Sequence, residues 1–177
     1  LAVRPNVITA VGDGAWNIPA TWSCTCVPTS TDNVVIPSPR VVDVDGATAT
    51  AEGLTIDAGA TLNFNSNDSL LLNGDLLVNG LISSSTGLLG FVGTGAQELW
   101  NNSGSAITQF DFYANNSTTV SFKSGDWNIT NFIKVAAGQL VNDGATVTLV
   151  SDASTQAQIQ PSATNSFSGE FILQRYF

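Results

Sequence analysis

Leu54-Thr-Ile-Asp-Ala-Gly-Ala-Thr-Leu-Asn-Phe64 is the stretch on which the rest of the chain turns. Leu54 and Ile56 point one way and Thr55 the other. After Gly59 the alternation resumes, with Ala60, Leu62 and Phe64 set against Thr61 and Asn63. This is a short strand, a glycine corner and a second short strand, because side chains of extended backbone alternate with period two. The unit returns. Leu76-Leu-Val-Asn-Gly80 precedes Leu81-Ile-Ser83, Leu99-Trp-Asn-Asn-Ser-Gly104 precedes Ser105-Ala-Ile-Thr108, Val120-Ser-Phe-Lys-Ser-Gly125 precedes Asp126-Trp-Asn-Ile129, and Leu140-Val-Asn-Asp-Gly144 precedes Ala145-Thr-Val-Thr-Leu149. The glycines stand at 59, 80, 104, 125 and 144, in steps of 21, 24, 21 and 19. An earlier copy, Val34-Val-Ile-Pro-Ser-Pro-Arg-Val-Val-Asp-Val44, carries Pro39 at the corner.

A β pattern with a period near twenty is the signature of a repeat architecture. One such unit cannot bury its own apolar face, whereas stacked coils cover one another and exchange backbone hydrogen bonds. The spacing predicts an all-β fold: a single-stranded, right-handed parallel β-helix of six coils that start at Val34, Leu54, Leu76, Leu99, Val120 and Leu140. At about 4.8 Å per coil the stack spans roughly 29 Å. The competing fold is an antiparallel β-sandwich, because Asn73-Gly74 and Asn79-Gly80 are also hairpin signals. The constant period argues against it, since hairpins need none. Asp45-Gly46 and Asp143-Gly144, like the Asn-Gly pairs, tolerate positive φ at corners.

The expected organisation is one structural domain. Residues 1–33 lack the period and form an N-terminal cap, with Trp16 and Trp22 covering the first coil. Residues 34–160 form the solenoid, and residues 161–177 a loop and terminal strand. An uncovered solenoid end exposes unpaired backbone, so a cap is needed. The alternative role of the two tryptophans is a sugar-stacking platform. The closing run Phe171-Ile-Leu-Gln-Arg-Tyr-Phe177 is strongly β-prone. Phe171, Ile172, Leu173, Tyr176 and Phe177 are candidates either to close the last coil or to pair with another subunit.

The chain carries 14 acidic and 5 basic residues, no His and no Met, for a net charge of −9. Five scattered cations make no basic stripe, which argues against nucleic acid and anionic membranes. No apolar run reaches the length of a membrane-spanning helix. The first residues show no basic-then-apolar export signal, so any such signal is expected to have been removed or to lie outside this sequence. Scarce Lys and abundant Thr, Asn and Ser fit a secreted product.

Cys24 and Cys26 stand as Cys-Thr-Cys. A small disulfide, permitted in an oxidising compartment, is preferred to two free thiols, which are a liability outside the cell. A zinc site is not expected, for want of a second Cys pair and of any His. Without His no Ser-His-Asp or Cys-His pair can form. Asp43 and Asp45 share a strand face, and Asp111 and Asp126 follow in later coils, so paired carboxylates for glycoside cleavage are the enzymatic alternative. The bland reading, that these acids solubilise the surface and form corners, is favoured. Glycine-rich Thr86–Ala96 lacks the Lys of a phosphate cradle and reads as a strand from Leu88 to Val92. Asp and Asn oxygens at a corner could hold calcium, but no calcium-binding repeat is present, so no cofactor is expected. Candidate glycan attachment points are the sequons at Asn67, Asn116 and Asn128, and Ser69 within Asp68-Ser-Leu70.

The run Thr21-Trp22, Val27-Pro28, Asp32-Asn-Val-Val-Ile-Pro37, Val44-Asp45 and Leu54-Thr-Ile-Asp-Ala-Gly-Ala-Thr-Leu62 resembles the opening of the eight-glycine domain family. It is also similar to repetitive surface proteins exported by Bacteroidetes-type bacteria, whose coils the stretch from residue 12 to about 100 resembles. Gly169-Glu-Phe-Ile-Leu-Gln-Arg-Tyr-Phe177 resembles the strand that follows such coils. The resemblance implies a secreted, adhesion-like role at the cell surface or matrix and carries no catalytic residues. The Asp-Ser-Leu site resembles the O-glycan attachment site of those proteins. The expected function is therefore a non-enzymatic structural or adhesive module, self-associating into filaments or a surface layer, or binding other surface components and glycans. The alternative is a carbohydrate-binding or carbohydrate-cleaving β-helix with Trp100, Trp127 or Tyr113 stacking on sugar.

Overall fold

Alternation sends every second side chain inward, and the chain keeps the same residues inward from coil to coil. The computed structural model describes residues 7–45, 48–65, 67–84, 86–154, 156–160 and 166–175. They form a parallel β-solenoid with three faces. The first face stacks Val7–Thr9, Asn33–Ile36, Leu54–Ile56, Leu76–Val78, Gln97–Asn101, residues 119–122, residues 139–142 and Ser166–Ser168. The second begins with Gly14–Ala15, Val41–Val44, Thr61–Phe64 and Leu81–Ser84. It continues through residues 107–109 and 126–129 to Thr146–Leu149 and Ile172–Leu173. The third stacks Thr48–Ala51, Ser69–Leu72, Leu88–Phe91, residues 111–114, residues 132–135 and Gln158–Ile159. The chain visits the faces in that order, which gives six complete coils beginning at the expected positions. Two long strands, Ile107–Ser124 and Asp126–Asn142, bend around corners without interruption, and their register shifts mark the bends. Among the described residues there is no α-helix, only a single 3₁₀ turn at Pro19–Thr21.

Every ladder between faces of successive coils is parallel. The sandwich alternative is thereby excluded. The two antiparallel bridges, Ala10 with Trp22 and Ser151 with Gln156, are local to loops.

In-register stacking aligns like with like. Val34, Leu54, Leu76 and Leu99 form one inward column of the first face. Ala49, Leu70, Leu89, Phe112 and Ile133 form one on the third. Across the middle of the prism run Phe91, Phe112, Phe122 and Trp127, with ring centroids 5.3, 5.0 and 5.2 Å apart in succession. They come from the third, third, first and second faces, so stacked and edge-on rings join all three sides.

The repeated glycine lies at the corner between the first and second faces. Gly59, Gly104, Gly125 and Gly144 have positive φ there. Gly80 does not. A Cβ at Gly80 would strike the carbonyl oxygens of Asp57 and Ala60 in the coil below, so the demand at that position is closeness of backbone. In the first coil the corner holds Pro39 after a cis peptide bond from Ser38. Gly46, from the Asp45-Gly46 pair, lies outside the described residues.

The stack is longer than the period suggested. Val7–Thr9 and Gly14–Ala15 pair beneath the first complete coil, so part of the segment read as a cap is a partial coil. Ser166–Ser168 and Ile172–Leu173 continue the stack above the sixth. Between the last two strands Gly169 repeats the positive-φ corner, 25 residues after Gly144, against the Asn142 carbonyl of the coil below. The cap proper is residues 16–32. There Trp16 and Trp22 are buried edge to face with centroids 4.9 Å apart, and the Trp22 Nε1–H donates to the Trp16 carbonyl at 2.7 Å. Buried rings offer no sugar platform, so the covering role is the one the geometry allows. Cys24 and Cys26 are joined by a disulfide in this cap.

Stacking makes three substitutions informative under urea denaturation. Leu99→Ala empties a fully buried position of the column and is expected to cost about 2–5 kcal/mol. Gly93→Ala drives a Cβ into the carbonyl of Asn73 in the coil below and should cost about 1–3 kcal/mol. Gly95→Ala, two residues on, meets nothing within 4 Å and should stay within about 0.5 kcal/mol of the parent.

Candidate functional site

The inward rows are occupied by the core, so contact with a partner falls to the outward rows. Those of the second face are mostly Thr, Asp, Asn and Ser: Thr61, Asn63, Ser83, Thr108, Asp126 and Thr146. The third face differs. One outward row reads Thr48, Ser69, Leu88, Asp111, Phe132 and Gln158, each in register with the next. Its neighbour reads Thr50, Leu71, Gly90, Tyr113 and Lys134. From these rows Thr48, Ser69, Leu71, Leu88, Tyr113, Phe132 and Lys134, with Gln160, line a shallow groove of about 330 Å³, the leucines, the two rings and Lys134 half-buried along it.

Gly90 makes the depression. A Cβ there would crowd Leu71 Cδ2 and Leu88 Cδ2 and touch the Tyr113 ring, so the missing side chain lets these three close over the backbone. The Lys134 ammonium stands 6.0 Å from the Tyr113 ring centroid, within reach of a cation–π attraction. Beside Phe132, Asp111 Oδ1 accepts from Asn131 Nδ2 at 2.6 Å. Burial pushes the Asp111 carboxyl above its ordinary value, and the Asn131 hydrogen bond offsets part of that shift. At the adjoining corner Thr130, Asn131, Asp152, Ser154, Gln156 and Gln158 line a second, polar cleft of about 460 Å³. The groove is thus apolar and aromatic, edged by amides, hydroxyls, one cation and one carboxylate.

The three aromatic candidates are not brought together. Tyr113 stands in the groove. Trp100 is exposed on the first face, and Trp127 is buried in the core with its Nε1–H donated to the Ser124 carbonyl at 3.0 Å. Of the four candidate acids, Asp43 and Asp45 stand two residues apart in the first coil, and Asp111 and Asp126 lie in later coils. Asp43 lies on the second face in the first coil, accepting from Asn63 Nδ2 at 2.8 Å, and Asp126 opens the second-face strand of the fifth. Four coils separate them, or roughly 19 Å, beyond the spacing that glycoside cleavage uses. Asp45 follows its strand at a corner, and Asp111 is on another face. Among the described residues no three His, Cys, Asp or Glu side chains converge as a metal set. Elsewhere, on the first face, the Lys123 ammonium bridges Asp143 at 2.6 Å and Glu98 at 3.3 Å, and these hydrogen bonds raise its pKa, Asp143 the more.

Of the glycan candidates, Asn67 is exposed with φ of 59°, while Ser69 and Asn128 are half-buried and outward-facing. Asn116 is not available. It is fully buried, its Nδ2 donates to the Gly95 carbonyl at 2.6 Å and Gln97 Oε1 at 2.7 Å, and its Oδ1 accepts from the Thr118 N–H. The amide serves as an internal strut between coils, so that candidate is withdrawn. Phe171 packs against the core, and Ile172 and Leu173 form the last strand of the second face. Tyr176 and Phe177 lie outside the described residues.

Sequence reasoning passed over Leu71, Leu88, Gly90, Phe132 and Lys134. The signal was present: Leu70-Leu-Leu72, Leu88-Leu89 and Phe132-Ile133 set apolar residues side by side, and in an alternating strand one of such a pair must face out.

A family model described as a domain of unknown function (DUF8693) matches residues 8–87. That span runs from the first strand through the cap and two complete coils, and stops just before the third-face strand of the third. It therefore includes Leu71 and leaves Tyr113, Phe132 and Lys134 outside. No curated protein and no solved structure matches the chain.

The raised pKa of Asp111 gives a pH test. Such a carboxyl binds its proton more tightly when folded, so its contribution is full below the ordinary carboxylate value and is lost as pH rises through the folded value. Asp111→Asn should raise the urea midpoint relative to the parent at pH 7, and the difference should shrink by pH 3. An equal difference at both pH values would place the effect in packing rather than in the charge.

Proposed function

We propose that this chain is a non-enzymatic structural and adhesive module that works outside the cell, binding surface or matrix components, glycans among them, through the third face. The observation that carries this reading is the outward row of Leu71, Leu88, Tyr113 and Phe132 around Gly90. Apolar side chains stand there on a sheet whose backbone is held by ladders on both sides, so the surface is preformed and little ordering is needed on contact. The acidic body, net −9, favours a neutral target over a polyanion. An aromatic ring offers its flat face to the C–H face of a sugar, and the Asp111–Asn131 pair and Gln158 offer hydrogen bonds at the groove's edge.

The test is retention on arrays of extracellular glycans and matrix proteins, using the parent chain and the Tyr113→Ala/Phe132→Ala variant. Retention on at least one surface, reduced roughly tenfold in the variant, is expected, with the captured ligand unchanged in mass. Equal retention by both chains, or release of shortened saccharides, would defeat the reading.

A further inference from the structure

The chain's two cysteines, Cys24 and Cys26, are joined across a single residue. The stability that a disulfide brings grows with the loop it closes, and this loop is among the shortest that can close. The ring also carries a cost. Thr25, between the two cysteines, has φ of 52°, a left-handed conformation that penalises a β-branched side chain.

The cap is held without this bond. On one side Trp22 is buried, the Ser23 N–H donates to the Thr9 carbonyl at 2.9 Å, and Ser23 Oγ accepts from the Thr9 N–H at 3.1 Å. On the other side Asp32 Oδ2 accepts from the Thr29 N–H at 2.9 Å and from Thr29 Oγ1 at 2.7 Å. The Asp32 carbonyl accepts from the Glu52 N–H at 2.8 Å, which ties that flank to the solenoid wall. Both flanks are therefore anchored whether or not the sulfurs are joined. Cys24, Thr25 and Cys26 are all exposed, and a cleft of about 480 Å³ opens beside them, lined also by Ile8, Val27, Thr29 and Asp32. A bond that staples little, closes at a cost and faces solvent has the character of a labile, oxidising disulfide.

We infer that Cys24–Cys26 is a thiol–disulfide exchange site that takes electrons from a partner carrying two neighbouring thiols. The reaction needs a sulfur able to leave as thiolate. The Cys26 backbone N–H donates to Cys24 Sγ at 3.2 Å, and such a bond strengthens when its acceptor becomes anionic. Cys24 Sγ is thus the leaving sulfur and Cys26 Sγ the one attacked. A partner thiolate bonds to Cys26 Sγ while the Sγ–Sγ bond breaks and its electron pair goes to Cys24. The partner's second thiolate then attacks the partner sulfur of this mixed disulfide and releases Cys26 as thiolate. The partner ends as a disulfide and this chain as a dithiol. The two protons given up by the partner's thiols are taken up by Cys24 and Cys26. One electron pair crosses, and no other oxidant takes part. Asp32 beside the cleft and a net charge of −9 select against an acidic partner. This inference is independent of the adhesive reading of the third face.

The experiment mixes the oxidised whole chain at pH 8 with an equimolar Cys-Gly-Gly-Cys peptide blocked at both ends, quenches in acid and reads intact masses. The larger share of the chain should gain two hydrogens while the peptide loses two. With a blocked single-cysteine peptide instead, the trapped adduct should map to Cys26 after digestion. The Cys24→Ser/Cys26→Ser variant should keep the parent's urea midpoint and leave the peptide reduced. A chain that stays oxidised, or an adduct on Cys24, would overturn the inference. So would a variant that unfolds or whose midpoint falls well below the parent's, since the bond would then be a structural staple.

Discussion

Parallel pairing between coils is the constraint from which the rest follows. Backbone N–H and C=O groups of most strands are satisfied by the strand one coil below and one coil above, as for Leu54–Ile56 and Ser69–Leu72. That exchange forbids sliding, because a shift of one residue would turn every inward Leu, Ile or Val outward. Once register is held, identical positions stack in columns, and the columns become the core. Corners then have to pass close to the corners beneath them. This is why glycines such as Gly80 and Gly93 sit against carbonyl oxygens. At the corner between the third and first faces polar struts also tie coils together: Gln97 Nε2 donates to the Leu72 and Gly74 carbonyls, and Asn116 Nδ2 donates to Gln97 Oε1.

Much of this was legible in residue order, and what was hidden has physical reasons. Alternation around Gly59 and its recurrence disclosed the parallel stack and all six coil starts, because each unit couples an apolar column to a corner glycine. The third side of the prism was nearly invisible. Ser69–Leu72 and Leu88–Phe91 carry outward leucines that spoil the alternation. No glycine marks their beginning at a constant distance. The partial coil at Val7–Thr9 escaped because pairing asks for extended backbone and register, neither of which leaves a compositional mark, while that at Ser166–Ser168 carried a corner glycine, Gly169, but too short an apolar unit around it to be read as a repeat. Handedness of the winding was likewise an expectation of the period and is not needed for any of the contacts described.

The site shows the same division. Aromatic residues were the natural candidates, yet Trp16, Trp22 and Trp127 are interior, because a large ring fills a cap or a prism centre better than smaller side chains do. Only burial separates these from Tyr113 and Phe132. Asn116 makes the complementary point. Its sequon is indistinguishable by pattern from that of Asn67, but its amide is spent on three hydrogen-bonding partners inside the wall. A motif states chemical competence; the position of the coil decides whether anything outside can reach it.

The interior rings have a mechanical corollary. Coils touch only their neighbours, so a solenoid loosens one layer at a time from whichever terminus is least held. Phe91, Phe112, Phe122 and Trp127 lash the third, fourth and fifth layers across the bore as well as along it. Fraying that begins among the last strands meets this knot halfway down the shaft. The molecule is a rod with a stiff waist, and the surface carrying Tyr113 and Phe132 is wrapped around that waist.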